Sequence, residues 1–396
     1  LRNNSKGLLM KKHCIQHLWG YKLVIALLLL LTLAPVQADQ TSMYAYNTLG
    51  LIESFDGART DVNDITLFKY DNQGNLTHIT NALGHVTQMT AHDLNGRPLT
   101  IVDANSAVTQ LNYDERGRLS SQDIAGRVTN FNYDQAGNLV QVSLPNAQVI
   151  TYSYDAASRP TGYSDVQGNR IAYTLDNAGN QTQVNVSDPN QQLTRSHQYI
   201  YDELNRLRAD VGAQGQTESL QYDTNNNLTD KTDPNLNPTQ FAFDALNRLT
   251  ETTDAGNGRT SYAYDTQGNL TSVIDPNGNI TSYSYDSFDN LIQQNSPDTG
   301  ITSYTYDDAG NRISQTNANG ITTRYSYDAL NRLIEIDYPN AKLNINFTYD
   351  ENSEGQNGVG RLTSQEDASG TTKYTYDLRG NVLTQTSIRC STTLTM

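Results

Sequence analysis

The acidic residues of this chain recur with a fixed spacing, and they are the first feature that could carry chemistry. Asp265, Asp286, Asp307 and Asp328 follow one another at intervals of 21 residues. Two carboxylates can divide acid and base roles only when different environments separate their pKa values. Repetition makes these aspartates equivalent, so the pattern predicts a structural task for each of them and no catalytic residue.

Metal binding is the second chemistry that the side chains suggest. The aspartate segments lack the alternating ligands and closing glutamate of an EF-hand loop, which leaves weak calcium binding at clustered turns as an alternative. His78, His85 and His92 recur every seven residues, an odd spacing that alternates between strand faces. Cys390 has no matching Cys–His context, and phosphate-loop and hydrolase motifs are missing from the sequence. We expect no metal, no cofactor and no enzymatic activity.

The aspartates belong to a repeat that organises the chain. Each follows an aromatic or similar residue, and the unit reads Tyr-Asp, two variable residues, Gly or Asn, then Asn or Arg, then Leu. About 15 units lie between residues 65 and 385, with longer intervals at 187–196 and 351–360. Self-similarity at this period indicates a repeat architecture.

The residues that define these units are a tyrosine, its aspartate and the residue three positions after the aspartate. We assign a structural role to Tyr70, Asp71, Gly74, Tyr113, Asp114, Gly117, Tyr133, Asp134, Gly137, Tyr154, Asp155, Tyr201, Asp202, Asn205, Tyr222, Asp223, Asn226, Tyr264, Asp265, Gly268, Tyr285, Asp286, Tyr306, Asp307, Gly310, Tyr327, Asp328, Asn331, Tyr376, Asp377 and Gly380.

Each unit is predicted to hold two strands and two turns. Aromatic residues at alternate positions, such as Tyr262 and Tyr264, share one strand face. The Asp-x-x-Gly segment predicts a three-residue hairpin loop whose Gly or Asn takes a positive φ and whose aspartate accepts backbone N–H groups. A second, looser turn such as 275–278 lies half a repeat away. The sequence therefore predicts an all-β fold of tandem hairpins in a single-layer sheet, which twist makes a spiral.

The beginning of the chain has a different composition. Lys11 and Lys12 precede the apolar run 23–33, and Ala38 ends a stretch of small residues. This order predicts a signal peptide over residues 1–38 and export to the periplasm, the cell surface or the medium. The apolar run is short for a membrane span, so no stable span is expected after cleavage, although an uncleaved anchor is an alternative.

Composition restricts the partners and the core. The net charge of -15 disfavours a nucleic-acid partner. With 25 Tyr against 7 Phe and an apolar fraction of 36%, a deep aliphatic core is not expected. We divide the remaining chain into a lead segment at 39–64, the repeat array at 65–385 and an irregular tail at 386–396.

The Tyr-Asp unit at a 21-residue step resembles the Rhs/YD-repeat family over about residues 65–385. That family includes bacterial Rhs toxins, the B and C components of insecticidal toxin complexes, and teneurins. The resemblance implies a spiralling β-sheet wound into a hollow shell, which encloses a toxic domain in the bacterial members. A non-enzymatic scaffold with a toxin or passenger polypeptide as partner is the function that this resemblance implies.

The chain departs from the toxin-bearing members in length and in two segments. The segment 275–279 only partly matches the core element linked with self-cleavage, so we interpret it as a repeat turn. The repeat array is followed by only a short segment before Met396. These departures predict a partial shell from a truncated member of the family.

A surface glycan is the alternative partner. Wall-associated members of the family have been linked to carbohydrate binding, and rows of tyrosines flanked by amides could contact sugars. The candidate ligand surface consists of Tyr262, Tyr283, Tyr304 and Tyr325. In this hypothesis the chain is a cell-surface binding or adhesion module.

Overall fold

The computed structural model describes residues 40–353 and 355–389, which form 32 β-strands and one short 3-10 helix. The predicted signal peptide lies outside these residues. Within them, no helix has the length and apolar character needed to cross a membrane. The all-β prediction is confirmed.

The strands have the following bounds: β1 (Met43–Tyr46), β2 (Ile52–Asp56), β3 (Thr66–Tyr70), β4 (Leu76–Thr80), β5 (Val86–His92), β6 (Pro98–Val102), β7 (Val108–Tyr113), β8 (Leu119–Ile124), β9 (Arg127–Tyr133), β10 (Leu139–Ser143), β11 (Val149–Tyr154), β12 (Pro160–Asp165), β13 (Arg170–Leu175), β14 (Gln181–Ser187), β15 (Leu193–Tyr201), β16 (Leu207–Gly212), β17 (Thr217–Tyr222), β18 (Leu228–Thr232), β19 (Pro238–Phe243), β20 (Leu249–Thr253), β21 (Arg259–Tyr264), β22 (Leu270–Ile274), β23 (Ile280–Tyr285), β24 (Leu291–Ser296), β25 (Gly300–Tyr306), β26 (Arg312–Thr316), β27 (Thr322–Tyr327), β28 (Leu333–Asp337), β29 (Ile345–Tyr349), β30 (Leu362–Asp367), β31 (Gly370–Tyr376) and β32 (Val382–Arg389). The 3-10 helix spans Ala341–Leu343, between β28 and β29.

Each strand pairs antiparallel with the next strand along the chain, so the sheet is one continuous meander. Its turns lie along two edges. We call the edge with the turns of hairpins β1–β2, β3–β4 and so on to β31–β32 the YD edge. The turns between β2 and β3, β4 and β5 and the later equivalents form the opposite edge. The sheet is open and spiralling, as predicted.

Fifteen of the 16 turns of the YD edge share one backbone geometry, and the longer β29–β30 turn is the exception. In the hairpin β21–β22, the Gly268 N–H donates to the Asp265 carbonyl at 3.2 Å, and the Asp265 N–H donates to the Asn269 carbonyl at 3.0 Å. Gly268 has a φ of 98°. The non-glycine residues at the equivalent position also have positive φ, and they are Ser158, Asn205, Asn226, Asn247, Asp289 and Asn331. The prediction of a left-handed residue at this position is confirmed, and it extends to a serine that departs from the residue pattern.

Ten of the 15 turns of the opposite edge have the same backbone hydrogen bonds, whereas the turns after β2, β8, β24, β28 and β30 differ from them, so this edge is less regular, as expected. The Gly278 N–H donates to the Asp275 carbonyl at 2.9 Å, and the Asp275 N–H donates to the Asn279 carbonyl at 3.0 Å. Even Ala147 and Leu236 take the positive φ at this edge. In the ten regular turns the side chains vary around a constant backbone, and in the other five the backbone varies as well.

A β-bulge next to the turn distinguishes the YD edge from the opposite edge. In all 16 hairpins of the YD edge the pairing register shifts beside the turn. In β21–β22, Tyr264 opposes Leu270 while Ala263 opposes Ser272, so Thr271 is the extra residue. At the opposite edge the register shifts in the β14–β15 hairpin. Bulges bend a strand and increase its twist, so their repetition along one edge accounts for the coiling of the sheet.

The coiled sheet meets itself where its opposite edge touches the YD edge of a later winding. The Arg59 guanidinium, 3% exposed, donates to the Asp328 carbonyl at 2.6 Å and lies 3.5 Å from the Asp307 carboxylate. Asn105 donates to the Val359 carbonyl and accepts from its N–H, both at 2.9 Å. The 25 strands from β3 to β27 separate Arg59 from Asp328. We call this region the winding contact.

The described residues have almost no buried apolar core. The buried hydrophobic side chains are Ala107, Val142, Ala209, Leu220 and Tyr376. The buried polar side chains include Arg59 and Asn105, and both of these lie at the winding contact. The sheet therefore depends on backbone hydrogen bonds, on contacts between consecutive units and on buried polar contacts where windings meet.

Two segments outside the predicted array are part of the sheet. The expected lead segment 39–64 contains the hairpin β1–β2, whose turn begins with Asn47; its side chain accepts the N–H groups of Leu49 and Leu51 at 2.9 and 3.0 Å. This unit was not predicted because it has asparagine in place of the aspartate of the Tyr-Asp pair. The expected irregular tail starts at residue 386, whereas β32 continues to Arg389 because it pairs with β31 along its whole length.

Replacement of Gly268 tests the turn assignment. Valine should lower the free energy of unfolding by about 1–2 kcal/mol, because an L-residue with a β-branched side chain resists positive φ. No atom lies within 4 Å of an added Cβ, so the loss isolates backbone strain. Gly268→Asn is the matched control and should be nearly neutral, since asparagine holds this position in other units. Equal unfolding midpoints in urea for the valine and asparagine variants would contradict the assignment.

Candidate functional site

The dyad aspartates cap their own turns. The Asp265 Oδ1 atom accepts the N–H of Gln267 at 3.0 Å and the N–H of Asn269 at 2.8 Å. Its Oδ2 atom accepts the side-chain amide of Asn269 at 3.2 Å. Both carboxylate oxygens are therefore engaged in holding the turn, which is the structural role that the sequence predicts for these residues.

Hydrogen bonding keeps these carboxylates ionised. In the last hairpin, the side-chain amide of Asn381 donates to Asp377 at 2.9 Å and lowers the pKa of Asp377 to about 2, with the N–H groups of Asn381 and Arg379 acting in the same direction. Side-chain amides at the same spacing lower the pKa of Asp71 and Asp223 as well. A carboxylate held in this state is a stable acceptor and a poor proton donor near neutral pH.

The dyad tyrosines tie each unit to the preceding one. The Tyr264 hydroxyl donates to the Leu249 carbonyl at 2.8 Å, and the Tyr285 hydroxyl donates to the Leu270 carbonyl at 3.0 Å. The equivalent bond to the preceding unit is made by Tyr113, Tyr133, Tyr154, Tyr201, Tyr222, Tyr306, Tyr327, Tyr349 and Tyr376. Burial raises the pKa of Tyr285, which keeps its hydroxyl protonated as a donor.

Arginine four residues after the dyad aspartate makes a second tie, to the following unit. The Arg248 Nε atom donates to the Asp244 carboxylate at 2.8 Å, and its Nη1 atom donates to the Asp265 carbonyl at 2.9 Å. Its guanidinium carbon lies 4.8 Å from the centre of the Tyr264 ring. A cation over an aromatic face adds roughly 0.5–1 kcal/mol at an exposed site.

Asparagine at the same position makes an equivalent tie through its amide. Asn269 donates to the Asp289 carboxylate at 2.7 Å, and Asn311 donates to the Asn331 side-chain oxygen at 2.8 Å. Asp289 and Asn331 are the left-handed residues of the next turns. These ties were not predicted from the sequence, although the restriction of this position to arginine or asparagine in the repeat indicates a shared bonding role.

A second row of tyrosines lies on the same face of the sheet as the dyad tyrosines. Tyr262, Tyr283, Tyr304 and Tyr325 each stand two residues before a dyad tyrosine and are half-buried, whereas Ser284 and its equivalents on the other face are exposed. Within residues 40–353 and 355–389 their hydroxyls make no hydrogen bond. We call this face, from β21 to β28, the tyrosine face.

Amides and one cation lie beside this second row. Gln294 opposes Tyr283 and Gln315 opposes Tyr304 across neighbouring strands. The guanidinium carbon of Arg312 lies 4.8 Å from the Tyr325 ring centre and 5.6 Å from the Tyr304 ring centre. Arg312 was not predicted as a candidate from the sequence, although it replaces the leucine that usually follows the asparagine in this repeat.

The three histidines do not form a metal centre among the described residues. His85 Nε2 lies 3.8 Å from an Asp350 carboxylate oxygen at the winding contact, while His78 Nδ1 contacts the Thr77 hydroxyl at 3.1 Å. Residues 40–353 and 355–389 contain no group of three or more His, Cys, Asp or Glu side chains placed to hold a metal. Cys390 lies outside these residues.

The continuous meander, the dyad turns along one edge and the return of the sheet onto itself define a repeat-built β-shell scaffold. Comparison with protein families supports this class. The Teneurin YD-shell family model matches residues 32–211. The RHS Repeat model matches residues 201–238, 243–280, 264–301, 285–320, 306–342 and 357–388. The chain belongs to the Rhs/YD-repeat family, whose repeats are structural scaffolds.

Solved structures with the same fold are larger than this chain. The crystal structure of TcdB2-TccC3-Cdc42 is similar with a TM-score of 0.68 and 16% identity, over 88% of this chain and 22% of that chain. The crystal structure of TcdB2-TccC3 is similar with a TM-score of 0.64 and 16% identity, over 87% of this chain and 23% of that chain. This chain thus spans about a fifth of their length. A comparison with curated protein sequences finds no match.

Removal of single tyrosine hydroxyls tests the difference between the two rows. Tyr285→Phe should lower the free energy of unfolding by about 0.5–1.5 kcal/mol, because the Leu270 carbonyl loses its donor. Tyr283→Phe is the control in the same strand and should have no effect, since its hydroxyl makes no bond within the described residues. Urea denaturation of the two variants measures the difference. A larger loss for Tyr283→Phe would reverse the assignment of the rows.

Acid should destabilise the array in a defined range. The folded-state pKa of Asp377 is about 2 against a reference of 3.8, so the unfolded chain binds more protons between these values. Stability is therefore fully present above pH 4 and decreases as the pH falls toward 2. Thermal unfolding between pH 6 and pH 2 should show this decrease. Asp377→Asn should reduce it, because asparagine caps the turn as Asn47 does but does not titrate in this range.

Proposed function

We propose that this chain is a non-enzymatic, exported wall segment of a β-shell that encloses a toxin or other passenger polypeptide. The winding contact is the observation that carries this proposal. A single-layer sheet whose edge returns onto itself after one winding separates an inner face from an outer face. Family membership supports the scaffold role, and the predicted signal peptide supports export.

The number of strands in a winding sets the size of the enclosed space. Adjacent strands lie about 4.8 Å apart, so 25 strands give a perimeter of about 120 Å and a diameter of about 38 Å. Side chains extend about 5 Å from each wall, which leaves roughly 28 Å. A folded domain of 100 residues has a radius of gyration of about 13 Å, which corresponds to a sphere about 34 Å in diameter, so this space suits a smaller or an unfolded polypeptide.

A scaffold role agrees with the chemistry of the repeated groups. The dyad carboxylates are occupied by turn N–H groups and the dyad hydroxyls by backbone carbonyls. The arginines of the YD edge, such as Arg248, pair with the carboxylate of their own turn and with the ring of the next unit. These groups are engaged in the wall itself. The passenger then meets the uncommitted side chains that lie between them.

Protection of a passenger from protease tests the enclosure. Coexpressed with the polypeptide encoded directly downstream of its gene, the chain should slow digestion of that polypeptide. Arg59→Leu should abolish most of the protection, because the Asp328 carbonyl and the Asp307 carboxylate lose their buried partner at the winding contact. Arg324→Leu, an exposed arginine of β27, is the matched control and should protect like the native chain. Equal digestion rates with and without the native chain would refute enclosure.

Glycan binding at the tyrosine face is the second candidate function. The uncommitted hydroxyls of Tyr283 and Tyr304, each opposite a glutamine amide, favour it because sugars offer many hydroxyl groups for such partners. In this function the chain is a cell-surface adhesion module.

A paired substitution tests this second function. The double variant Tyr283→Ala, Tyr304→Ala should lose binding to a glycan array that the native chain recognises. The control is Ser284→Ala with Thr305→Ala, which changes the exposed face of the same strands and should bind normally. Equal glycan binding by the tyrosine and control variants would exclude the tyrosine face as the site.

A further inference from the structure

Arg312 differs from the arginines that tie the repeat units together. Those arginines donate to a dyad carboxylate, as Arg248 does to Asp244. Within residues 40–353 and 355–389 the Arg312 guanidinium makes no ion pair or hydrogen bond, and it lies between the rings of Tyr304 and Tyr325. A guanidinium stacked on aromatic faces keeps its N–H edges free for a carboxylate, which it can bind in a bidentate manner.

The side chains around Arg312 on the tyrosine face are uncharged. The register places Gln315 opposite Tyr304 and opposite Thr323, and it places Ile336 opposite Tyr325. Within the described residues no carboxylate forms an ion pair with the Arg312 guanidinium, and the nearby Asp307 carboxylate accepts the N–H groups of its own turn. Although the whole chain carries a net charge of -15, distant charges are largely screened beyond about 8 Å at physiological ionic strength. The local field therefore favours an anion.

Backbone requirements do not explain an arginine at this position. Its carbonyl accepts the Tyr327 hydroxyl at 3.1 Å, a role that the Leu270 carbonyl fulfils for Tyr285 in another unit. Leucine would therefore satisfy the backbone of the repeat, and apart from its contacts with two rings the guanidinium is free to bind a ligand.

We propose that Arg312 is a specificity-determining residue of the tyrosine face that binds the carboxylate of an acidic glycan containing uronic acids. This inference rests on the second candidate function, glycan binding at the same face. Arg312 contributes the charge, and the hydroxyls of Tyr304 and Tyr325 with the amide of Gln315 contribute hydrogen bonds to sugar hydroxyls. Consecutive tyrosines of the row stand two strands, or about 10 Å, apart, which suits the length of an extended disaccharide.

An acidic peptide fits this face less well than a glycan. A peptide would supply the carboxylate, but its side chains offer few hydroxyl groups for the phenols and amides along the row. A uronic acid polymer presents a carboxylate and several hydroxyls in every repeat. The polar groups of the row that lack partners match that composition.

Binding of polygalacturonate tests the inference, with its carboxyl-reduced form and polyglutamate as comparison polymers. The native chain should bind polygalacturonate at least about ten-fold more tightly than the reduced polymer, because charge-assisted hydrogen bonds are the strong ones. Arg312→Leu should remove this preference and Arg312→Lys should retain part of it. Arg324→Leu makes the same charge change on the opposite face and should behave as the native chain.

The outcomes separate this inference from the function on which it rests. Binding that requires Tyr283 and Tyr304 but is equal for both forms of the polymer would overturn the role of Arg312 alone. Binding of polyglutamate as tight as that of polygalacturonate would assign the site to acidic peptides and overturn the inference. If the chain binds neither polygalacturonate nor its reduced form, the inference is refuted. If a glycan array also shows no ligand that depends on the tyrosines, the second function is refuted as well.

Discussion

The capped aspartate turn is the constraint on which this structure depends. One carboxylate accepts two backbone N–H groups and a side chain four residues later, as Asp265 does with Gln267 and Asn269. The turn then fixes the left-handed residue, and at the YD edge a bulge lies beside each turn and bends the sheet. Curvature that recurs at one edge brings distant strands together. The shell thus follows from a local arrangement of hydrogen bonds repeated along the chain.

A sheet with so few buried apolar side chains needs another source of cohesion. Each unit supplies it through groups that reach across to the next unit: the tyrosine hydroxyl, the arginine over a ring, or the asparagine amide. Individually such contacts contribute about 1 kcal/mol or less, but they recur in every unit. Stability in this architecture is therefore close to a sum of unit and neighbour contributions, as in other repeat proteins.

The sequence was sufficient to predict what is local and repeated. The pairs such as Tyr264 and Asp265, with Gly268 three residues on, predicted the hairpins, the positive φ and the all-β fold. The partner of Arg59 could not be predicted, because Asp328 lies 269 residues away and the coiling that joins them depends on small bends summed over many strands. Asn47 was missed because a chemically equivalent residue replaced the expected one. The spacing of the tyrosines predicted the candidate ligand surface as a row. Which row has hydroxyls without a hydrogen bond among the described residues, and which has bonded hydroxyls, is visible only in the structure.

The long separation across the winding contact also orders events during synthesis. Strand pairing in this meander joins neighbours in sequence, and contacts that are local in sequence form early and fast. The bond between Asn105 and Val359 spans 254 residues, so it can form only after nearly all of the described sheet has emerged from the ribosome. Until residue 359 has been synthesised, this contact between windings cannot hold the two edges of the growing sheet together.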